Sequence, residues 1–283
     1  MMLTVEKFRW REGIKLALPK EHGSWSLALE PVALGLLVAP TAAGAALAGA
    51  AVSGFFLRRP LKILSRERDS ERWLTARASV FVLTFIAAVG LLLAAKMGGA
   101  AKLWPLLPAA LAGLAFVWCD RRNEAREGAA EAAGAAAFGL LPAAFGALAN
   151  WSVPASLALA AVMLVRSVPT VLTVRANLRI KKGRFPFFPE PASLRAKLRM
   201  QKGQAVSILP ALIAAGAGLI LAAWLVSLRL APWMAALFAA IFAARTVWLL
   251  CWRPRLAART IGSIEATLGG LMVLALAITW RHI

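Results

Sequence analysis

The chain has 283 residues, 60% of them hydrophobic, with a mean hydropathy of +0.71 and a formal charge of +20. An apolar excess of this size, arriving in long blocks, excludes an ordinary soluble domain, which averages roughly 45–50% apolar residues, and points to the bilayer. A pI near 11.7 would suggest nucleic acid in a soluble protein, but here the basic residues lie between apolar spans, where topology and anionic lipid account for them, and no nucleic-acid module is visible.

Residues 1–22 carry five basic and three acidic groups and no cleavage-like run of small residues, so they are expected to stay as a cytoplasmic leader ahead of one transmembrane domain, 23–283. The leader runs into LPKEHGSWSLALEP, Leu18 to Pro31, where Lys20, Glu21 and His22 stand against Gly23 and a second acid, Glu30, follows about two turns into an apolar run. Ionisable groups at membrane depth are costly, so they are usually paired, face a bundle interior or line a wet cavity. Glu21 and His22 are therefore the candidate acid–base pair; the alternative is that the charged triplet anchors the helix end at the headgroups.

A spanning helix needs about 20 mainly apolar residues, and breaks fall at charges, Pro or Gly. Nine spans are predicted, at 23–39, 41–57, 78–96, 102–119, 127–149, 153–174, 204–227, 230–250 and 261–280. Tryptophans 104, 118, 151, 224, 233, 252 and 280 fall near their ends, as an aromatic belt requires. The fold class is all-α, a polytopic bundle. With the N-terminus in the cytoplasm, 27 basic residues lie inside and only Lys96, Lys102, Arg229 and Arg281 outside, which sets N-terminus in and C-terminus out. Two inner connections are long, 58–77 and 175–203. The first is read as holding a short interfacial helix after Pro60; the second alternates Phe185, Phe187 and Phe188 with Pro186 and Pro189 before Ser193 caps a basic helix.

Within the spans, Asn123, Glu127 and Glu131 recur every four residues on one face of the fifth helix. Arg166, Thr170, Thr173 and Asn177 form a stripe on the sixth, interrupted by Pro169. Arg245 and Glu265 complete an intramembrane polar network of Glu30, Glu131, Arg166, Arg245 and Glu265. Such groups either line a polar cavity or form buried salt bridges that fix helix register. Cys119 and Cys251 have no Cys or His neighbour at metal spacing and read as core residues. No hydrolase triad, zinc motif or phosphate-binding loop is present, and no metal or cofactor is expected.

The segments PKEHGSWSLALEP (19–31), RRPL (58–61), DRRNEAREGAAEAAG (120–134), RSVPTVLTVRANLRIKKG (166–183) and RPRLAARTIGSIEATLGG (253–270) together resemble the YwiC-like family of bacterial integral membrane proteins. The resemblance runs from the first helix to the last and implies the bacterial cytoplasmic membrane. The layout is also similar to the UbiA prenyltransferase superfamily, whose nine helices carry two long cytoplasmic loops with Asp-rich motifs that hold Mg²⁺ and prenyl diphosphate. At the matching places this chain has Arg58, Arg59 and Lys62, then Arg175, Arg179 and Lys181, which argues against a metal-held diphosphate. Guanidinium groups bind phosphate without metal. The leading expectation is therefore a UbiA-like bundle whose cavity binds an anionic amphiphile, its headgroup held by Arg58, Arg59, Lys62, Arg175 and Arg179. A proton-coupled carrier built on the buried acids, or a non-catalytic assembly protein, are the competing expectations. Membrane lipids are the expected partners.

Overall fold

The computed structural model describes residues 22–66, 71–122, 128–181, 194–252 and 256–280. Among them every regular element is a helix. In chain order these are α1 (His22–Val38), α2 (Ala42–Arg66), α3 (Glu71–Gly98), a 3₁₀ turn (Ala100–Leu103), α4 (Leu106–Arg121), α5 (Gly128–Gly139), α6 (Leu141–Leu148), α7 (Val153–Lys181), α8 (Leu194–Ser227), α9 (Trp233–Val247) with a π turn (Trp248–Trp252), and α10 (Ala258–Thr279). Long apolar sequences leave no backbone alternative in hydrocarbon, because a helix satisfies its own N–H and C=O groups. Among the described residues, six helical stretches are long and apolar enough to cross a membrane: those of α3, α5 with α6, α7, α8, α9 with its π turn, and α10. Shorter apolar stretches lie at Trp25–Val38 in α1 and Leu106–Cys119 in α4. The chain is a multi-pass helical membrane protein, and its exposed apolar side chains, among them Phe81, Phe85, Leu111 and Ile220, are those such a protein turns to lipid.

The connections depart from the sequence expectation in two ways. The stretch 58–77 is not a loop with a separate interfacial helix: α2 continues through a buried Pro60 to Arg66, and α3 begins at Glu71. Likewise α7 continues to Lys181 and α8 begins at Leu194, so helix covers much of 175–203. The expected Phe-Pro wedge and the Ser193 cap lie outside the described residues. The fifth expected span is broken, with α5 ending at Gly139 and α6 starting at Leu141. Pro142 carries no N–H to donate back to Phe138, and the Ala143 N–H turns instead to the Leu140 carbonyl at 3.2 Å, a tighter 3₁₀-type closure.

Helix α1 is the hinge of the packing. Its Val32 joins an apolar cluster with Ala43 and Leu47 of α2, Ala94 of α3 and Phe145 and Leu148 of α6. Its Leu34 and Val38 join a second cluster with Leu159, Val162 and Met163 of α7, Phe238 and Phe242 of α9, and Met272 and Leu276 of α10. Tight turns hold the ends. The Thr41 hydroxyl accepts the Gly44 N–H at 2.9 Å at the start of α2, and Asn150, with φ of 64°, lets the Trp151 N–H close α6 on the Gly146 carbonyl at 3.0 Å.

The α2–α3 hairpin depends on small residues. A Cβ on Gly90 would meet the Ala46 carbonyl oxygen at 2.7 Å and the Ala50 nitrogen at 3.1 Å, so the backbones approach as only glycine allows. Gly54, one helical face away, has open space around its Cβ position. Gly90→Leu is expected to lower the melting temperature in detergent by more than about 4 °C, the response to a loss of 1–2 kcal/mol in a chain of this size. Gly54→Ala should leave it unchanged or slightly higher. Equal melting temperatures for Gly90→Leu and the unsubstituted protein would contradict the packing described.

Candidate functional site

Four helices each bring one ionisable side chain to the same depth. Glu30 on α1, Arg166 on α7, Arg245 on α9 and Glu265 on α10 are all at most 6% exposed, and Arg166 is wholly buried. Arg166 is the centre. One terminal nitrogen, Nη2, lies 3.2 Å from Glu30 Oε1 and donates to the Glu265 backbone carbonyl at 2.9 Å. The other, Nη1, donates to Thr170 Oγ1 at 2.6 Å and lies 3.5 Å from Glu265 Oε2. Arg245 Nη2 closes the chain, 2.9 Å from both Glu265 Oε2 and Thr170 Oγ1. Two acids and two bases therefore balance, and in a low-dielectric interior only such a paired arrangement is tolerable.

Local sequence explains why these atoms meet. Thr170 stands one turn after Arg166 and donates its own hydroxyl proton to the Arg166 carbonyl at 2.7 Å, leaving the oxygen to accept from both guanidinium groups. Phe242, one turn before Arg245, spreads its ring beneath both guanidinium carbons, at 4.7 Å from Arg166 and 5.7 Å from Arg245. Ser26 stands one turn before Glu30 on the same face of α1. Gly269, one turn after Glu265, leaves the space Glu30 occupies, since a Cβ there would overlap the Glu30 carboxyl group. Farther along α7, Thr173 bonds to Thr246 of α9 at 3.1 Å, and Asn177 is 4% exposed.

The pairing is incomplete. Among the described residues, Arg166 Nε, Arg245 Nε and Nη1, Glu265 Oε1, Ser167 Oγ and Asn177 Nδ2 are buried with no hydrogen-bond partner in the protein. Buried polar atoms are rarely left so, and water or a ligand is what normally completes them.

The structure thus gathers four of the five residues of the expected network and separates the fifth. Glu131 lies on α5 and pairs with Arg175 of α7 at 3.2 Å, at the more exposed end of that helix. Arg175 is among the residues expected from the sequence to hold a headgroup. Arg58, of the same group, lays its guanidinium over the Phe116 ring at 4.6 Å, and that ring packs on Gly134, one turn from Glu131. Arg58 and Arg175 are thus linked to the same helix, α5, the first through Phe116 and Gly134 and the second through Glu131. Arg59 and Lys62 are half-buried on the last turns of α2, and Arg179 is exposed. His22 opens α1, but its side chain, like Glu21, Asn123 and Glu127, lies outside what the structure describes. Sequence reasoning missed Thr246, Ser167, Phe242 and Gly269. Phe242 could have been found as the one-turn neighbour of Arg245 on the inward face.

Fold and site together define a multi-pass helical membrane protein with a charge-balanced network locked across four helices. Residues 18–144 match the family model for the YwiC-like protein, which shows the resemblance read from the sequence over that stretch. The matched part runs from before α1 into α6 and contributes Glu30 and Glu131; Arg166, Arg245 and Glu265 lie beyond it. No curated protein and no solved structure matches the chain.

Removing the central base tests the pairing. Arg166→Met leaves Glu30 buried without its base and is expected to cost on the order of 3–5 kcal/mol, read as a lower melting temperature. Adding Glu30→Gln should recover at least half of that loss. A double variant no better than the single would contradict direct coupling between the two residues.

Proposed function

We propose that this protein is a membrane carrier for protons or small ions, with Glu30, Arg166, Arg245 and Glu265 as its coupling site. The observation that carries the reading is the ion-pair chain across α1, α7, α9 and α10 with charged atoms of both signs still unpartnered. A network built only as a staple gains nothing from open donors and acceptors. One built to exchange partners needs them, because each pair must open at small cost when a proton or ion arrives. Pro169, inside α7 between Arg166 and Thr173, removes a backbone hydrogen bond there and loosens the helix at the right depth. The orientation that goes with this reading puts the N-terminus in the cytoplasm of a bacterial cell, by the same bias of basic residues toward one side.

A second reading is supported by a different corner of the molecule. Arg58 lies over Phe116 and Arg175 is held by Glu131, and Arg59, Lys62 and Arg179 lie on the same helix ends. That arrangement suits an anionic headgroup, as on a lipid or prenyl phosphate. Among the described residues no three His, Cys, Asp or Glu side chains gather as a metal-binding group, and metal-dependent prenyl transfer is not part of the proposal.

Proteoliposomes loaded with a pH-sensitive dye and energised by a potassium diffusion potential separate the two. Carrier function predicts protein-dependent proton uptake that Glu265→Gln lowers at least tenfold and that Arg58→Gln with Arg175→Gln leaves intact. Absence of uptake, with melting-temperature stabilisation by a prenyl diphosphate or an anionic phospholipid that the Arg58 and Arg175 double variant loses, would replace the carrier by the headgroup reading.

A further inference from the structure

The four helices that meet at the network differ sharply on its two sides. Toward the C-terminus of α1 and α10 and the N-terminus of α7 and α9, the interior is apolar: Leu34 and Val38, Met272 and Leu276, Leu159, Val162 and Met163, and Phe238 form one continuous buried cluster. The Trp151 and Trp280 rings stack beyond it at 6.3 Å. The only hydrogen-bonding group among the members of that cluster is the Trp280 indole N–H at its outer edge, and an apolar packed interior stays dry. On the other side α7 presents Thr170, Thr173 and Asn177 at four-and-three-residue steps, all at most 5% exposed, with Thr246 of α9 bonded to Thr173. The stripe runs to the turn of α7 that also carries Arg175 and Arg179 on its other faces. A small apolar cluster of Ala176, Ala211 and Leu250 packs alongside it.

We infer that the buried network is a hydrated site reached from the basic end of the bundle alone, by a chain of waters along Thr173, Thr246 and Asn177. The unpartnered Asn177 Nδ2, Ser167 Oγ and Arg245 Nη1 are the protein's donors to those waters. Hydroxyls and amides both donate and accept, so such a chain can pass protons to Glu265 and Glu30. The apolar cluster is the barrier on the far side. This deepens the carrier reading by naming the face from which the coupling site is filled, yet the access itself stands on burial and hydrogen bonding.

The test uses accessibility without any gradient, so it succeeds or fails independently of transport. In a background with Cys119→Ala and Cys251→Ala, single cysteines replace Asn177, Thr173, Leu159 and Val162 in reconstituted protein. A water-soluble cationic methanethiosulfonate, and silver ion as a smaller probe, should modify N177C at least tenfold faster than L159C and V162C, with T173C reached by silver. Equal rates at Asn177 and Leu159, or silver blocked at both Asn177 and Thr173, would overturn the inference. Should a cysteine variant fail to fold, hydroxyl-radical labelling of the unsubstituted protein decides. Phe242, beneath both arginines, is expected to be labelled, while the highly reactive Met163 and Met272 are spared. Oxidised Met163 and Met272 would contradict a dry barrier.

Discussion

A guanidinium group wholly out of water is the constraint on which the arrangement of this bundle depends. Arg166 has five N–H donors, so folding must supply acceptors from several directions. Glu30, the Glu265 carbonyl and carboxylate, and Thr170 supply them, and because they come from α1, α10 and α7 itself, the depth and rotation of three helices are fixed by one side chain. Arg245 then ties α9 to the same acid. Apolar packing among lipid-exposed helices cannot specify register so sharply, since lipid tails are as apolar as the residues they replace.

This division of labour explains where the small residues lie. Gly269 yields the space for the Glu30 carboxylate, Gly90 lets α3 lie against the α2 backbone, and the Ala-rich faces of α1, α2 and α6 bring helices close around Phe145. Close approach maximises dispersion contacts where hydrophobic exclusion is weak. The polar network and the small-residue seams are complementary: the first selects one register, and the second makes that register dense.

Much of this was legible in the chain. The four-residue spacing of Arg166, Thr170, Thr173 and Asn177 marks one face of a helix, and the structure buries all four. Glu30, Arg245 and Glu265 stood out because charges are rare within apolar runs. Pairing was not legible. Spacing gives a residue's face and its height on its own helix, but not which helix lies opposite, and so Glu131 was grouped with the central acids although its partner is Arg175. The charged stretches 58–66 and 71–77 read as a loop because charges end the apolar runs there. Arg, Lys and Glu are nevertheless good helix formers, and α2 and α3 simply continue through them. Gly269 carried no signal of its own, since its role is the absence of a side chain beside an acid on a distant helix.

The central claim is that the network works as a site as well as holding the helices in place. A variant neutral throughout, Glu30→Gln, Arg166→Met, Arg245→Met and Glu265→Gln, separates the two roles, because replacing a complete buried ion network by neutral side chains of similar volume is often neutral for stability or better. Its melting temperature and its proton uptake in proteoliposomes, measured on one preparation, form the most direct test. The account predicts a folded protein melting within about 4 °C of the original, a change of 1–2 kcal/mol at most, with proton uptake abolished. A folded variant that still takes up protons at the original rate would mean that the charges only fix register, and would contradict the account.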